Sequence, residues 1–546
     1  MKNISFLIPA ILFFSTNPAF AQSPDRDHPI PLRSSAFHAD GGRHLRVFEP
    51  SQCPFSLPAG IRADCGFLVV PENRRDDGEG NFPRSRKEIR IAVAIARAPS
   101  GSPVPDPIVY LTGGPSAAAI TRSSIFYLST LFFSSNRDLI LVDQRGTGLS
   151  QPRLGCPEFD AVAATAFPNT PTRAAYLDAV RQCRDRLRTE GVDLDAYNSA
   201  ENAADMDDLR VALGYDQWNV LGLSNGGLAT LTLMRLYPEG IRSVVLDSPS
   251  SNDNLRVVDR WQASNRLLEK VFTGCASDPI CNGRYANLRS VFYGLINGLQ
   301  QNPVDVPIPN PIGGPSLTTH VTGDVLLSGT TRLVFDPAVL PSLPATIYFA
   351  AYGGLAQVVR AAAGATMPSS KVYADGNTLS TLCSDVIPFE TQDDLDEAAR
   401  AIPAFRDLIL DPDALEPINR QACQVWSVPR AAAVQHHPVR SRIPTLILSG
   451  EYDGVVSPAE GVRIANALRR ESSIPKGGIH GGTSPDDDEE TTNALPHALF
   501  YQVPGVGHIV LNGTCASAIA SQFLNNPEFV PNTSCLEALP KIVFGR

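Results

Sequence analysis

The sequence has no excess of basic residues, which limits what the chain is expected to bind. Lys and Arg number 46 against 56 Asp and Glu in 546 residues, a net charge of −10. A nucleic-acid backbone is bound by a basic stripe, so this balance argues against a nucleic-acid partner. Charged residues make up only 19% and aromatic residues 7%, but 43% are hydrophobic, which excludes wholesale disorder. A chain of this length can bury a sizeable core.

Long hydrophobic runs are also lacking beyond the first residues. Ile4 to Phe14 is an almost unbroken apolar run, shorter than the roughly 20 residues needed to span a bilayer. Lys2 before it and Ala19-Phe20-Ala21 after it complete the pattern of an export signal. We therefore expect residues 1–21 to be a signal peptide and the mature protein to be periplasmic or secreted, with no membrane partner. A buried N-terminal strand or an uncleaved anchor is the alternative.

The cysteines lack the C-x-x-C spacing of a zinc site, and no histidine cluster accompanies them. We therefore expect no metal. There are ten cysteines, an even number, and an oxidising compartment favours disulfides. Sequence does not fix their connectivity, but they fall in local pairs. Nearest-neighbour pairing predicts Cys53–Cys65, Cys156–Cys183, Cys275–Cys281, Cys383–Cys423 and Cys515–Cys535.

Short apolar runs alternate with helical stretches from about residue 66. This order is typical of an α/β protein with a mostly parallel central sheet flanked by helices. One helix is predicted from a cap at Ser199 to Gly214, and another after Ser224 to Tyr237. The eight predicted strands are Phe67–Val70, Ile89–Ala96, Ile108–Leu111, Leu139–Val142, Val220–Leu223, Val244–Leu246, Thr445–Leu448 and Ala498–Val503.

The alternation stops between residues 251 and 440. This segment holds the Pro-rich run Pro303–Pro315 and helix-like stretches such as Ile347–Ala363. The strands that follow are too few to form a sheet alone. We therefore predict one core, residues 22–250 and 441–546, interrupted after the sixth predicted strand by a mainly helical cap, residues 251–440.

A shorter insertion, Ser472–Pro496, carries five consecutive acidic residues, Asp486–Glu490. We interpret it as a solvated surface loop. Calcium binding is the alternative, although consecutive carboxylates rarely face one ion.

A candidate nucleophile lies in the run Gly222-Leu223-Ser224-Asn225-Gly226, which follows an apolar strand and opens a helix. The glycines allow a strained strand-to-helix turn that exposes the hydroxyl of Ser224. The motif alone is common, and a Gly-rich turn with a surface serine is the alternative. A serine hydroxyl is a poor nucleophile at neutral pH, so a nearby base must take its proton.

A candidate base and acid follow two later strands. His508 ends a Gly-Val-Gly-His run after the last predicted strand, and imidazole titrates near neutrality. Asp453 ends a Gly-Glu-Tyr-Asp run after the strand before it, and would orient the imidazole and stabilise its cation. Asp247, after the strand Val244–Leu246, is the competing acid.

A candidate oxyanion hole lies upstream, where Gly113-Gly114-Pro115 follows the strand Ile108–Leu111. Backbone N–H groups there, with the N–H of Asn225, would bind the oxyanion of an acyl-transfer intermediate. Pro115 has no N–H, so the donor is Gly113 or Gly114, and we prefer Gly114.

These motifs, in this order, resemble those of the prolyl and tripeptidyl aminopeptidase family of α/β-hydrolases. The resemblance covers most of the chain from about Cys53, and the segment around Cys515 and Cys535 resembles the secreted tripeptidyl branch. It implies an α/β-hydrolase fold with a helical cap after the sixth strand, no metal or cofactor, and release of residues from peptide N-termini. The matching runs are Tyr110–Pro115, Asp143-Gln144-Arg145-Gly146-Thr147-Gly148-Leu149-Ser150, Gly222–Gly226, Gly450–Asp453 and Gly505–His508, the second being the most specific.

Two departures from the family pattern concern the substrate. The family usually has Tyr or Trp where this chain has Asn225, and Ser116 replaces a glycine. An aminopeptidase also needs a carboxylate in the cap to hold the substrate's ammonium group. Asp385 is our candidate, and capping of a helix is the alternative role for it.

The combined prediction is an exported serine hydrolase acting on short peptides with a free N-terminus. A carboxylesterase or lactonase acting on small organic esters is the alternative, because one triad and one fold serve both. A non-catalytic binding protein on the same scaffold is the third hypothesis.

Overall fold

The computed structural model describes residues 47–545, except for 75–86, 101, 133–134, 167–168, 170–171, 311–314, 334–336, 364–372, 411–418 and 470–496. The predicted signal peptide and the predicted acidic loop lie outside the described residues.

Eleven strands occur in the described part of the chain: β1 (Val47–Ser51), β2 (Ala63–Pro71), β3 (Glu88–Ala96), β4 (Ile108–Leu111), β5 (Leu139–Val142), β6 (Trp218–Leu223), β7 (Ile241–Asp247), β8 (Val304–Ile308), β9 (Leu317–Val321), β10 (Thr445–Gly450) and β11 (Ala498–Val503). Nine of them form one sheet in the order β1-β2-β3-β5-β4-β6-β7-β10-β11. The pairs β1–β2, β2–β3 and β3–β5 are antiparallel, and the five pairs from β5 to β11 are parallel.

All eight predicted strands are present. Strands β4 and β5 are buried at every position, because helices cover both faces of a parallel sheet. Strand β1 was not predicted, because it is a half-exposed edge strand that contains Glu49 and Pro50 and so lacks an apolar run. The hairpin β8–β9, whose first strand lies in the Pro-rich run, was not predicted either.

Seventeen α-helices are described: α1 (Arg122–Leu131), α2 (Pro157–Ala166), α3 (Arg173–Thr189), α4 (Ser199–Ala212), α5 (Gly226–Leu236), α6 (Arg256–Ser277), α7 (Pro279–Arg284), α8 (Leu288–Gln301), α9 (Gly323–Leu333), α10 (Leu343–Phe349), α11 (Leu355–Ala363), α12 (Asp375–Asp385), α13 (Gln392–Ala401), α14 (Arg406–Leu410), α15 (Arg420–Trp426), α16 (Pro458–Arg469) and α17 (Thr514–Asn525). Helix α5 stops just before Pro238, as predicted. The predicted cap of α4 is wrong by one residue, because the side chain of Asn198 accepts from the N–H of Glu201.

The residues between β7 and β10 form helices α6 to α15 and the hairpin β8–β9. They build a hydrophobic cluster around Trp261, Phe292 and Phe405. Tyr452, which follows β10, packs into the same cluster, so the insertion is held against the sheet. Since β1 adds a strand at the edge, the insertion follows the seventh strand of the chain, the sixth of the predicted set.

One helical run of the insertion, Ala338–Ala361, is long and apolar enough to cross a membrane by length and composition, with a mean hydropathy of 1.2. This corrects the expectation that no stretch after the first residues is so apolar. The run is broken in the fold, because Tyr352 and Gly353 have non-helical backbone angles. The single helix predicted over Ile347–Ala363 is therefore two helices, α10 and α11.

All ten cysteines are paired, and the five nearest-neighbour disulfides predicted from the sequence are confirmed. Two of them lie in the insertion, where Cys383–Cys423 joins α12 to α15.

Candidate active site

Ser224 sits on a strained turn between β6 and α5, with φ of +55°. Its N–H donates to the carbonyl of Asp247, and its own carbonyl accepts from the N–H groups of Gly227 and Ser250. Such a conformation costs about 1–3 kcal/mol and persists where the surroundings impose it. A Cβ on Gly226 would lie 2.1 Å from the carbonyl oxygen of Leu111, so only glycine fits there.

Three side chains from loops far apart in the chain form a hydrogen-bonded series. The Nε2 atom of His508 lies 3.0 Å from Oγ of Ser224, and Nδ1 lies 2.8 Å from Oδ2 of Asp453. Asp453 is fully buried, whereas the imidazole retains 14% exposure. The structure therefore brings together the predicted nucleophile, base and acid in the contacts that proton transfer requires.

The carboxylate of Asp453 is fixed by its own loop. Its Oδ1 atom accepts from the N–H groups of Val455 and Val456 at 2.8 and 2.9 Å, which leaves Oδ2 for the imidazole. The guanidinium of Arg266 on α6 donates to the backbone carbonyls of Glu451 and Asp453. Sequence inspection gave no signal for Arg266, because it lies in the insertion and acts on the backbone.

The competing acid, Asp247, has a different position. Its oxygens accept from the N–H groups of Val510 and Leu511 at 2.9 and 3.0 Å and from the hydroxyl of Ser248. Burial raises the pKa of the Asp247 carboxyl. Asp247 therefore anchors the loop that follows His508, while Asp453 makes the contact with the ring.

The electrostatic surroundings keep His508 basic. Burial by itself lowers its pKa, but the charge of Asp453 and the hydrogen bond to it raise the pKa by more. Asp247 and Glu460 add smaller contributions of the same sign. The pKa of His508 therefore lies above its ordinary value, as suits a general base.

Glu460 is a buried carboxyl that sequence analysis missed. It lies in the first turn of α16, where an acidic residue normally indicates an exposed helix start. Its Oε2 atom accepts from the N–H of Ser251 and from the amide of Asn254. Burial and the neighbouring Asp259 raise the pKa of Glu460. Glu460 joins α16 to the segment that leads from β7 into the insertion.

The glycine pair of the predicted oxyanion hole lies against the nucleophile. A Cβ on Gly113 would lie 2.7 Å from Cβ of Ser224 and 3.2 Å from the backbone nitrogen of Asn225. Gly114 follows with φ of +111°, a conformation that favours glycine. Among the described residues no acceptor binds the N–H of Gly114 or of Asn225. Both predicted donors are thus free, and Gly113, which precedes Gly114, lies against Ser224.

Asp385 lies at the end of α12 and is 5% exposed. Its Oδ2 atom accepts from the N–H of Ser199 at 2.8 Å, at the start of α4. It also lines a cavity of about 280 Å³, together with Leu228 of α5 and Gln435 of the insertion. Asn225 lines a much smaller neighbouring cavity that shares Ser199. Asp385 therefore caps a core helix and faces a cavity beside the nucleophile's helix.

One group of described side chains has the composition of a metal site: Cys156, Cys183 and Glu158. The two sulfur atoms are bonded to each other in a disulfide. This group therefore offers no thiolate to a metal ion.

The sheet order, the strained serine turn and the three-residue series define an α/β-hydrolase. Residues 106–293 match the family model described as alpha/beta hydrolase fold, and residues 415–535 match the model described as TAP-like protein. The predicted fold class is confirmed.

Three curated relatives show which hydrolases the chain is similar to. Serine protease Hip1 of Mycobacterium tuberculosis (strain ATCC 25618 / H37Rv) is 24% identical over 450 residues, 76% of this chain and 80% of the relative. The putative hydrolase YuaR of Escherichia coli K12 is 22% identical, over 56% of this chain and 60% of the relative. The tripeptidyl aminopeptidase of Streptomyces lividans is 25% identical, over 42% of each chain. The last two matches span less than two thirds of those relatives.

The chain is a hydrolase of the α/β-hydrolase superfamily, and its similarity to relatives named tripeptidyl aminopeptidase and probable proline iminopeptidase supports the family that the motifs predicted. It is a serine hydrolase of that superfamily, with relatives named as peptidases.

Proposed function

We propose that the protein is an exported aminopeptidase that releases residues from the free N-terminus of short peptides, with Ser224, His508 and Asp453 as its catalytic triad. The observation that carries this proposal is the hydrogen-bonded series from Oγ of Ser224 through His508 to Asp453 beside the glycine pair. The relatives named as peptidases favour a peptide substrate over an ester.

In the first step, Oγ of Ser224 attacks the carbonyl carbon of the scissile peptide bond while Nε2 of His508 takes the hydroxyl proton. The carbonyl oxygen becomes an oxyanion, which the N–H groups of Gly114 and Asn225 stabilise. Asp453 stabilises the imidazolium that forms. The C–N bond then breaks, and the leaving amine takes the proton from Nε2.

In the second step, water releases the acyl group from Ser224. The oxygen of the water attacks the ester carbon while Nε2 of His508 takes a proton from the water. The tetrahedral intermediate collapses, the serine oxygen leaves, and it regains a proton from Nε2. The product is a free carboxylate, and the enzyme returns to its starting protonation state.

Asp385 is our proposed partner for the substrate's ammonium group. It lines the cavity of about 280 Å³, and Asn252 and Gln435 line the same cavity. The Oδ1 atom of Asn252 and the Oε1 atom of Gln435 have no hydrogen-bond partner among the described residues. A carboxylate with two further acceptors suits a cationic donor such as an N-terminal ammonium. Arg430 also lines this cavity, with its guanidinium over the ring of Phe389.

Export is supported by the cysteines. All ten are in disulfides, which persist in an oxidising compartment. We infer that the protein acts in the periplasm or outside the cell.

Two measurements test the proposal. A fluorophosphonate probe should label the wild-type protein and leave Ser224→Ala unlabelled; equal labelling of both would remove Ser224 as the nucleophile. An amino-acyl p-nitroanilide should be hydrolysed much faster than its N-acetylated form. Turnover of p-nitrophenyl acetate without cleavage of either anilide would overturn the aminopeptidase assignment in favour of an esterase.

A further inference from the structure

The run Asp143–Ser150 was the most specific motif of the sequence, yet none of its side chains takes part in the chemistry described above. It follows β5, the neighbour of β4 in the sheet. The glycine pair that lies against Ser224 belongs to the loop that follows β4. We call this loop, Thr112–Ile120, the oxyanion loop. The motif and the oxyanion loop follow two adjacent parallel strands, so both lie at the same edge of the sheet.

Asp143 binds the far end of the oxyanion loop. It is fully buried, and its Oδ1 atom accepts from the N–H groups of Ala119 and Ile120 at 2.6 and 2.9 Å. Its Oδ2 atom accepts from the N–H of Leu149 at 2.7 Å. Burial raises the pKa of the Asp143 carboxyl, while these three backbone N–H groups act to lower it. In its ionised form the carboxylate accepts on both oxygens, and charge-assisted bonds are about twice as strong as neutral ones.

Gln144 binds the near end of the same loop. Its Nε2 donates to the carbonyl of Thr112 at 3.3 Å, and its Oε1 accepts from the side-chain amide of Asn202 on α4. Gly113, the residue in contact with Ser224, immediately follows Thr112. The two side chains that open the motif thus hold both ends of the oxyanion loop, with the glycine pair between them.

Gly148 and Ser150 of the motif hold Asp143 in place. A Cβ on Gly148 would lie 2.0 Å from Oδ2 of Asp143, so the loop closes over the carboxylate only with glycine at that position. The hydroxyl of Ser150 donates to the backbone carbonyl of Asp143 at 2.5 Å and accepts from the N–H of Ala92 on β3. The positions of Gly148 and Ser150 in the motif are therefore explained by the geometry of one buried carboxylate, whereas Arg145 of the motif pairs with Asp205 on α4.

We propose that Asp143 and Gln144 are positioning residues for the oxyanion hole, which set where the N–H of Gly114 lies relative to Ser224. This inference rests on the proposed function. Oxyanion donors act when they lie 2.7–3.1 Å from the position that the oxyanion takes up. A displacement of about 1 Å is enough to lower a rate about 10²-fold. Since the oxyanion forms only during the reaction, the effect falls on kcat and not on substrate binding.

The variant Asp143→Asn tests this inference because an amide offers one acceptor and one donor. It keeps the bonds to one side and places an NH₂ against a backbone N–H on the other. We expect a loss of about 10²-fold in kcat for p-nitrophenyl acetate and in the rate of fluorophosphonate labelling. We expect KM to remain within about twofold of the wild-type value, and labelling to reach full stoichiometry at long times.

Asp138→Asn is the matched control. Asp138 precedes β5 as Asp143 follows it, and it is also buried and bonded to a backbone amide, that of Ala98. It does not contact the oxyanion loop. Asp138→Asn should therefore lower Tm as Asp143→Asn does, but leave kcat and the labelling rate within about threefold of wild type.

Equal losses of rate in the two Asn variants, or a wild-type labelling rate in folded Asp143→Asn, would overturn the proposal. If Asp143→Asn does not fold, the variant Gln144→Met tests the proposal in its place. It removes only the bonds to Thr112 and Asn202, and an unchanged kcat in that variant would also overturn the proposal. A failure of the proposed function can be distinguished from a failure of this inference. In that case fluorophosphonate would not label even the wild-type protein.

Discussion

Gly450 and Gly507 lie in backbone contact: a Cβ on Gly450 would stand 1.9 Å from the carbonyl oxygen of Gly507. Gly450 ends β10 and precedes the loop of Asp453, and Gly507 immediately precedes His508. The close approach of these two glycines therefore fixes how near the carboxylate lies to the imidazole. It also explains why the runs Gly450–Asp453 and Gly505–His508 have glycine at these two positions.

We predict that Gly450→Ala lowers activity without touching a catalytic side chain. The added methyl group forces the two loops apart, which should cost about 1–3 kcal/mol of stability and lower kcat about 10²-fold. Steady-state kinetics and thermal unfolding measure both effects. Gly283→Ala is the control, because a Cβ there meets nothing within 4 Å. A folded Gly450→Ala protein with wild-type kcat would contradict this interpretation of the contact.

The pH dependence of kcat/KM should follow His508. The imidazole must be neutral to take the proton of Ser224, and its pKa is raised because the contributions of Asp453 exceed the effect of burial. Activity should therefore fall as pH decreases, with a midpoint above the ordinary imidazole value of about 6.5. In Asp453→Asn the charge and the carboxylate hydrogen bond that raise the pKa most are lost, so the midpoint should move to lower pH while kcat falls about 10⁴-fold. An unmoved midpoint would mean that another group titrates.

We predict that Asp385→Asn raises KM for substrates with a free amino group by about tenfold or more. A neutral amide loses the charge that holds an ammonium group, whereas N-acetylated substrates make no such contact. The ratio of the two KM values is the measurement. Asp375→Asn, at the other end of α12, is the control variant. A ratio equal to that of the wild type would assign Asp385 to capping of α4 alone.

The disulfides of the insertion should differ in how much they stabilise it. In the chain-entropy account, Cys383–Cys423, separated by 40 residues, contributes about 4 kcal/mol, whereas Cys275–Cys281, separated by 6, contributes about 2 kcal/mol. Paired Ser variants should therefore lower the free energy of unfolding in that order. Because Cys383–Cys423 also holds α12, its loss should raise KM for peptides with a free N-terminus. A larger loss of unfolding free energy in the variant without Cys275–Cys281 than in the variant without Cys383–Cys423 would contradict the chain-entropy account.

Much of the fold was predictable because its signals are local. Strands buried on both faces are continuous apolar runs, so all eight predicted strands occur. The strand β1 was not predictable, since a half-exposed edge strand with Glu49 and Pro50 carries neither an apolar run nor an alternation. The break at Tyr352 and Gly353 was also missed, although Gly353-Gly354 is a local signal for it, since glycine is a poor helix former.

The sequence by itself determined which groups are available for chemistry: a serine on a glycine-flanked turn, a histidine and an aspartate after later strands, and ten cysteines in local pairs. Each of these is encoded within a few neighbouring residues. Only the tertiary structure decided that Asp453 faces the imidazole while Asp247 holds the following loop, and that Asp143 binds the oxyanion loop. Those choices depend on which strand ends become neighbours in the sheet, and strand order is set by the packing of the whole chain.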